Sequence, residues 1–382
     1  MSIQQTKLLR NGQLAAFAGL FAQTDWDRVQ IDVKSLSTEE LLQKYPIGHQ
    51  FVIPWIDADD PDHKTKATAY QAEWNVVHYG NVELEDGSVV PGMFLQMDKC
   101  SAYGVQFSAP QAFYHCDSTL PDGTYYVTLN AAYDTIPANS IVQFTLTNVV
   151  PAGGRIRLGT DLNVTTWSNS FSSAPRDTVT ASIVTTPTGT NLGTTGEGGL
   201  NIIARMRYGS NRWSTSAIRQ YLNKSGENWW TSQEDFDTPP NQIRRDNDNE
   251  PKKGFMTGFD DEFLNAIKPV KVTTALNRAE GYANATEDTF DTFFLPSLQQ
   301  MNVNPQLANV EGDYFEYWRS RLGLTGYADT GGSNVYDAFK IPDLNANSAQ
   351  SVRLRSARVD NAYRAWYVSS SGYASTGSPS TA

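Results

Sequence analysis

Apolar and polar positions divide the chain into three regimes. Up to about residue 45 the spacing is helical. The run "LAAFAGLFA" (Leu14 to Ala22) is followed by "STEELLQKY", where Ser37 is a candidate cap and Glu39 and Glu40 suit the positive end of a helix dipole. From about residue 46 short β-rich runs take over, among them "HQFVIPW", "WNVVHYG", "NVELEDGSVVPGMFLQM", "GTYYVTLNA", "SIVQFTLTNVV" and "RIRLGT", separated by Gly, Pro, Asn and Asp. These predict an antiparallel sandwich or barrel, with Asp86-Gly87 as a hairpin turn.

Residues 168 to 199 are rich in Ser, Thr, Gly and Pro and read as an exposed connection. Beyond it, "SNRWSTSAIRQYLNKSG" places Ala217, Ile218, Tyr221 and Leu222 on one helical face, with Ser214 as the expected cap and a Gly stop. "GFDDEFLNAIKPV" predicts a second helix, capped by Asp260 and terminated by Pro269. The chain then returns to strands and loops. Near its end two strand-like runs flank Ser371-Gly372, and alternation sets Tyr363, Ala365 and Tyr367 on one face and Arg364, Trp366 and Val368 on the other. The expected class is α+β: a helical segment at 1–45, a sandwich-like β region at 46–190, and a third domain at 191–382.

Composition supports a folded chain: 40% hydrophobic, 12% aromatic and 19% charged residues in 382. The balance of 30 basic against 41 acidic residues argues against a nucleic-acid surface, which draws its affinity from basic side chains. Cys100 and Cys116 are too few for a disulfide framework and are expected to be reduced and structural. Lys7 and Arg10 before the Leu14–Ala22 run imitate a secretory signal, but the run is read as an amphipathic assembly helix. It is also far shorter than the roughly 20 apolar residues of a membrane span, so no membrane insertion is expected.

Candidate chemistry is sparse. His49, His63, His78 and His115 all precede the third domain, which leaves only carboxylates there for catalysis. Asp260, Asp261 and Glu262 form such a cluster, but helix capping accounts for Asp260. "DADDPDH" (Asp57 to His63) and "DNDNEP" (Asp246 to Pro251) lack the spacing of a calcium loop and read as acidic turns. Cys100, His115 and Cys116 lack zinc-site spacing. Trp229-Trp230 and the group Tyr314, Phe315, Tyr317 and Trp318 are core aromatics before they are a sugar platform. The expectation is no catalytic residue, no metal and no cofactor.

The stretch "RYGSNRWSTSAIRQYLN", with "NWW", "GFMTGFDDEFLNAIKPVKVTT", "DTFDTFFLPSLQQM", "YWRSRL" and "VRLRSARVDNAYRAWYVSSSGY", resembles gut-bacterial phage and prophage proteins carrying a DUF6273 domain. The resemblance implies a C-type-lectin-like, formylglycine-generating-enzyme-like fold, here without that enzyme group's cysteine pair. It also implies a C-terminal region of the kind diversified by retroelements, on the exposed surface of a virion. Where the family has a closing Arg-x-Ala-Pro-Ala-type strand, this chain has "STGSPSTA".

The expected function is adhesion to a host-surface glycan or protein by a non-enzymatic, homo-oligomeric protein attached to other virion proteins. The alternatives are an architectural capsid or tail decoration, and a carboxylate-dependent glycan hydrolase. The expected contact residues are Arg358, Asp360, Asn361, Tyr363, Arg364, Trp366, Tyr367, Ser369, Tyr373 and Ser375, a paratope-like mixture of rigid aromatics, Arg and small polar groups.

Overall fold

In the computed structural model the first helix, α1 (Trp26–Ser35), starts at Asp25, whose side chain accepts from the Arg28 amide. The second, α2 (Thr38–Lys44), starts at the expected cap, Ser37, which here forms a capping box. Its hydroxyl accepts from the Glu40 amide, and Glu40 accepts in return from the Ser37 amide. The structure describes residues 24–57, 68–101, 104–109, 114–115, 118–129, 136–152, 154–158, 162–167, 176–194, 209–233, 237, 239–240, 253–277, 285–332, 334–345 and 347–381. The 14–22 run, the 246–251 turn, His63, Cys116 and the 57–63 stretch beyond Asp57 lie outside them.

Strands β1 (Gln50–Asp57), β2 (Thr68–Glu83) and β3 (Val89–Met97) form an antiparallel sheet with β2 in the centre. The β2–β3 turn is the predicted one, with Gly87 at φ 81° and Leu84 N–H donating to Ser88 O. Between Val76 and His78 the register slips. Val76 thereby joins one hydrophobic core and Val77 another.

A β-sandwich follows. One sheet has the order β4 (Tyr114–His115), β7 (Arg155–Leu158), β8 (Asn163–Trp167), β9 (Asp177–Thr180); the other runs β10 (Ser182–Val184), β6 (Ile141–Leu146), β5 (Gly123–Thr128), β11 (Thr190–Thr194). Alternate residues from both, such as Val127, Val142, Phe144, Ile156 and Val164, fill a core of their own. The chain leaves the rest of the molecule at Ala109 and returns at Gly209, whose α-carbon faces the carbonyls of Ser108 and Ala109 so closely that a Cβ would lie 2.5 and 2.7 Å from them.

After the sandwich come α3 (Ala217–Leu222), α4 (Asp261–Ala266), a hairpin of β12 (Val270–Ala275) and β13 (Thr286–Asp291), α5 (Glu316–Leu322), the short pair β14 (Ile341–Pro342) and β15 (Ala349–Gln350), and a final sheet of β16 (Val352–Ala357), β17 (Ala365–Val368) and β18 (Ala374–Gly377). Asp260 caps α4 as expected, accepting from the Phe263 amide at 2.8 Å. Helix α3 corrects the expectation: Ser216, not Ser214, is its cap, because Ser214 instead donates to Glu287. Asn223, not a glycine, closes it, donating to Arg219 O and Phe293 O.

The largest core ignores the segment pattern. Trp26, Phe51, Trp55, Trp74 and Phe107 interleave with Trp213, Tyr221, Phe255, Phe259, Phe263 and Phe293. Phe259 and Phe293 stack at 5.2 Å, and Gly258 lies so close to the Trp55 indole that a Cβ would sit 2.3 Å from Nε1. Trp229, Phe315 and Trp318 are buried, so these aromatics build cores. Among the described residues no helix is long and apolar enough to cross a membrane.

Candidate functional site

Residues 352–377 are a folded meander. β17 is its central strand, so its two connections lie at opposite ends: the loop 358–364 at one, the turn around Ser371-Gly372 at the other. Gly372 has φ +89°, and Ser369 N–H donates to Tyr373 O, as a tight turn requires. Beyond β18 the chain is pinned. Arg353 donates to the carbonyls of Ser378 and Thr381, Gln106 donates to Ser380 O, and Ser108 N–H donates to Pro379 O. Burial pulls the Arg353 pKa down to about 10.

The 358–364 loop buries Val359 and Ala362 and turns Arg358, Asp360, Asn361, Tyr363 and Arg364 toward the surface. Its neck closes through Arg358 N–H to Arg364 O at 3.1 Å, and Asn361 Oδ1 accepts from Tyr363 N–H at 3.1 Å. A fully buried side chain beneath it holds the loop. Asn211 Nδ2 donates to Arg358 O, Asn361 O and Arg364 O at 3.3, 2.7 and 2.8 Å, while its Oδ1 accepts from Asn277 Nδ2 at 3.0 Å. Gln306 Oε1 adds a second hold, accepting from Val359 N–H at 2.9 Å and Trp366 Nε1 at 3.1 Å. Both side chains grip backbone groups of the loop, so these two holds do not depend on which side chains it projects.

On the surface Arg358 and Asp360 pair at 2.7 Å, and that hydrogen bond raises the Arg358 pKa. Arg364 is exposed, its guanidinium carbon 6.0 Å from the centre of the Tyr363 ring. Tyr363 packs in turn against the sandwich core.

The ten expected contact residues do not form one patch. Arg358, Asp360, Asn361, Tyr363 and Arg364 share the loop. Ser369 and Tyr373 lie past the other end of the four-residue β17, roughly 13 Å away at 3.3 Å per residue. Trp366 and Ser369 are buried, and so are not displayed. Alternation sorts the strand as expected: Trp366 and Val368 face the core containing Leu354 and Phe339, while Tyr367 lies on the opposite side, across from Arg353 and Ser375.

Two buried charged groups elsewhere have structural partners. Asp291 accepts from Trp213, Arg219 and Thr289. Arg355, fully buried, donates to Leu295 O, Gln300 Oε1 and Glu311 O, and burial brings its pKa down to about 10. Burial pushes the Cys100 thiol up to about 11. Among the described residues no His, Cys, Asp and Glu group is placed to hold a metal ion.

Residues 201–381 match the family model described as "Domain of unknown function (DUF6273)". This part of the chain is a DUF6273 domain. No curated protein and no solved structure matches the chain. The DUF6273 domain contains the loop and its clamp, Asn211, Asn277 and Gln306, but the core beneath it is completed by α1 and the β1–β3 sheet from outside the matched residues. The sequence reading missed the clamp. Asn211 sits in "RYGSNRW", and nothing local separates a clamping Asn from an ordinary loop Asn.

Proposed function

We propose that this protein is a non-enzymatic, virion-associated binding protein of a bacteriophage or prophage. Its DUF6273 domain is read as a C-type-lectin-like fold that presents the 358–364 loop to a host-surface glycan or protein. One observation carries the reading: Asn211 and Gln306 hold the loop by its backbone. A recognition surface whose side chains change between variants needs a scaffold whose conformation does not change with them, and a clamp on carbonyls and an amide supplies it. Tyr363 and two arginines are anchors of the type that dominates binding energy. The N-terminal helices, with Ile31 53% and Leu42 41% exposed, and the sandwich, with Ile183 50% exposed, provide apolar contacts for attachment to the particle and for self-association.

The test replaces Arg358, Asp360, Tyr363 and Arg364 together with Ala and measures adsorption of the purified protein to host cells. The expected outcome is lost adsorption by a variant that remains folded, its urea midpoint lowered only by the Tyr363 packing lost against the sandwich core. Unchanged adsorption by the folded variant rejects the reading.

A further inference from the structure

Most described arginines of the DUF6273 domain are used internally. Arg212 and Arg219 pair with Glu287 and Asp291, and Arg353 and Arg355 donate to backbone carbonyls. On the loop, Arg358 is neutralised by Asp360 through two contacts, Nε to Oδ1 at 2.7 Å and Nη2 to Oδ2 at 3.3 Å. Among the described arginine side chains of the domain, Arg364 alone has neither a hydrogen bond nor an ion pair. It stands exposed beside the Tyr363 ring, on a loop whose backbone is already fixed, in a chain of net charge -11.

Resting on the proposed display role, we infer that Arg364 engages a carboxylate of an acidic glycan. A planar guanidinium matches a carboxylate with two parallel N–H···O bonds. A phosphate dianion fits less well, because Asp360 is on the same short loop and a single guanidinium of that loop remains unpaired to balance two charges. Tyr363 beside the cation offers an aromatic edge for the apolar face of a sugar ring, and the Asn361 side chain an amide for its hydroxyls. Because the loop is held in place before binding, little ordering cost opposes such a contact.

The experiment measures affinity by titration calorimetry for matched pairs: trigalacturonate against neutral trigalactose, and sialyllactose against lactose. The proteins are the full chain, Arg364→Gln and Arg364→Lys. The expected result is a preference of about tenfold or more for an acidic member over its neutral counterpart, the worth of one charged hydrogen-bonded pair. R364Q erases that preference with an unchanged unfolding midpoint, R364K retains part of it, and raised salt weakens it. Equal affinity within each pair, no binding to either acid, or a preference that survives in R364Q overturns the inference. Cell adsorption separates this failure from that of the display role. If R364Q adsorbs normally while the four-residue loop variant does not, display stands and the carboxylate falls; if both adsorb normally, display itself fails.

Discussion

Asn211→Ala isolates the clamp. The substitution removes a side chain that is 0% exposed and lies beneath the loop it holds. It deletes two short hydrogen bonds, to Asn361 O at 2.7 Å and Arg364 O at 2.8 Å, and a weaker one to Arg358 O at 3.3 Å. It also removes the hydrogen bond that Asn277 Nδ2 donates to Asn211 Oδ1 at 3.0 Å. Each good bond, the one from Asn277 included, contributes about 1 kcal/mol net. Some loop carbonyls regain water, so the expected loss is about 3 kcal/mol. Asn211→Asp should do no better, since a carboxylate cannot donate to carbonyls and its charge would be buried. Urea denaturation gives the global value, and hydrogen exchange reads the loop directly: the amides of Arg358, Asn361 and Tyr363, each hydrogen-bonded within the loop, should exchange faster while those of the β5–β6 pair do not. A stability change under 0.5 kcal/mol with unchanged exchange at these amides would refute the clamp.

Three further outcomes follow from the packing. Arg355→Met leaves the carbonyls of Leu295 and Glu311 and a buried carboxylate without their cation, and should cost about 3–5 kcal/mol by denaturation; combined with Glu311→Gln, the loss should be less than the sum of the two. Replacing residues 110–208 with a short Gly-Ser linker should leave the aromatic core folded, with near-ultraviolet dichroism retained, because the two cut ends already touch; collapse of that signal would show that the sandwich is required. At Glu316 burial raises the carboxyl pKa, but the hydrogen bond with His78 at 2.5 Å and smaller attractions outweigh it and hold the group below its usual 4.5. Its stabilising effect is therefore complete above that value and is lost as pH falls through the depressed pKa. Glu316→Gln should remove that part of the acid dependence, about 0.5 kcal/mol for a half-exposed group, from a pH series of urea midpoints.

What the sequence revealed was local. Ser37 with Glu40, Asp260, Gly87 and Gly372 were legible because a cap or a turn is decided within three or four residues. Even there the cap of α3 was displaced by two residues, since Glu287, far along the chain, captures Ser214. The strand alternation at 365–368 was read correctly, but it could not say how much of either face is covered, and Trp366 proved to be core. The clamp was illegible for the same reason: Asn211 and Arg358 are 147 residues apart, and no periodicity spans that interval. The interleaving of Trp26, Trp55 and Trp74 with Phe255 and Phe293 is likewise a tertiary fact that binary patterning does not encode.

The central claim is that recognition occurs at the 358–364 end of β17 and not at the 369–373 end. Hydroxyl-radical footprinting of the intact protein, free and bound to host envelope, tests it directly, because each end carries one partly exposed tyrosine. The account predicts that Tyr363 is protected on binding while Tyr373 oxidises at its free rate. Protection of Tyr373 with Tyr363 unchanged would contradict it.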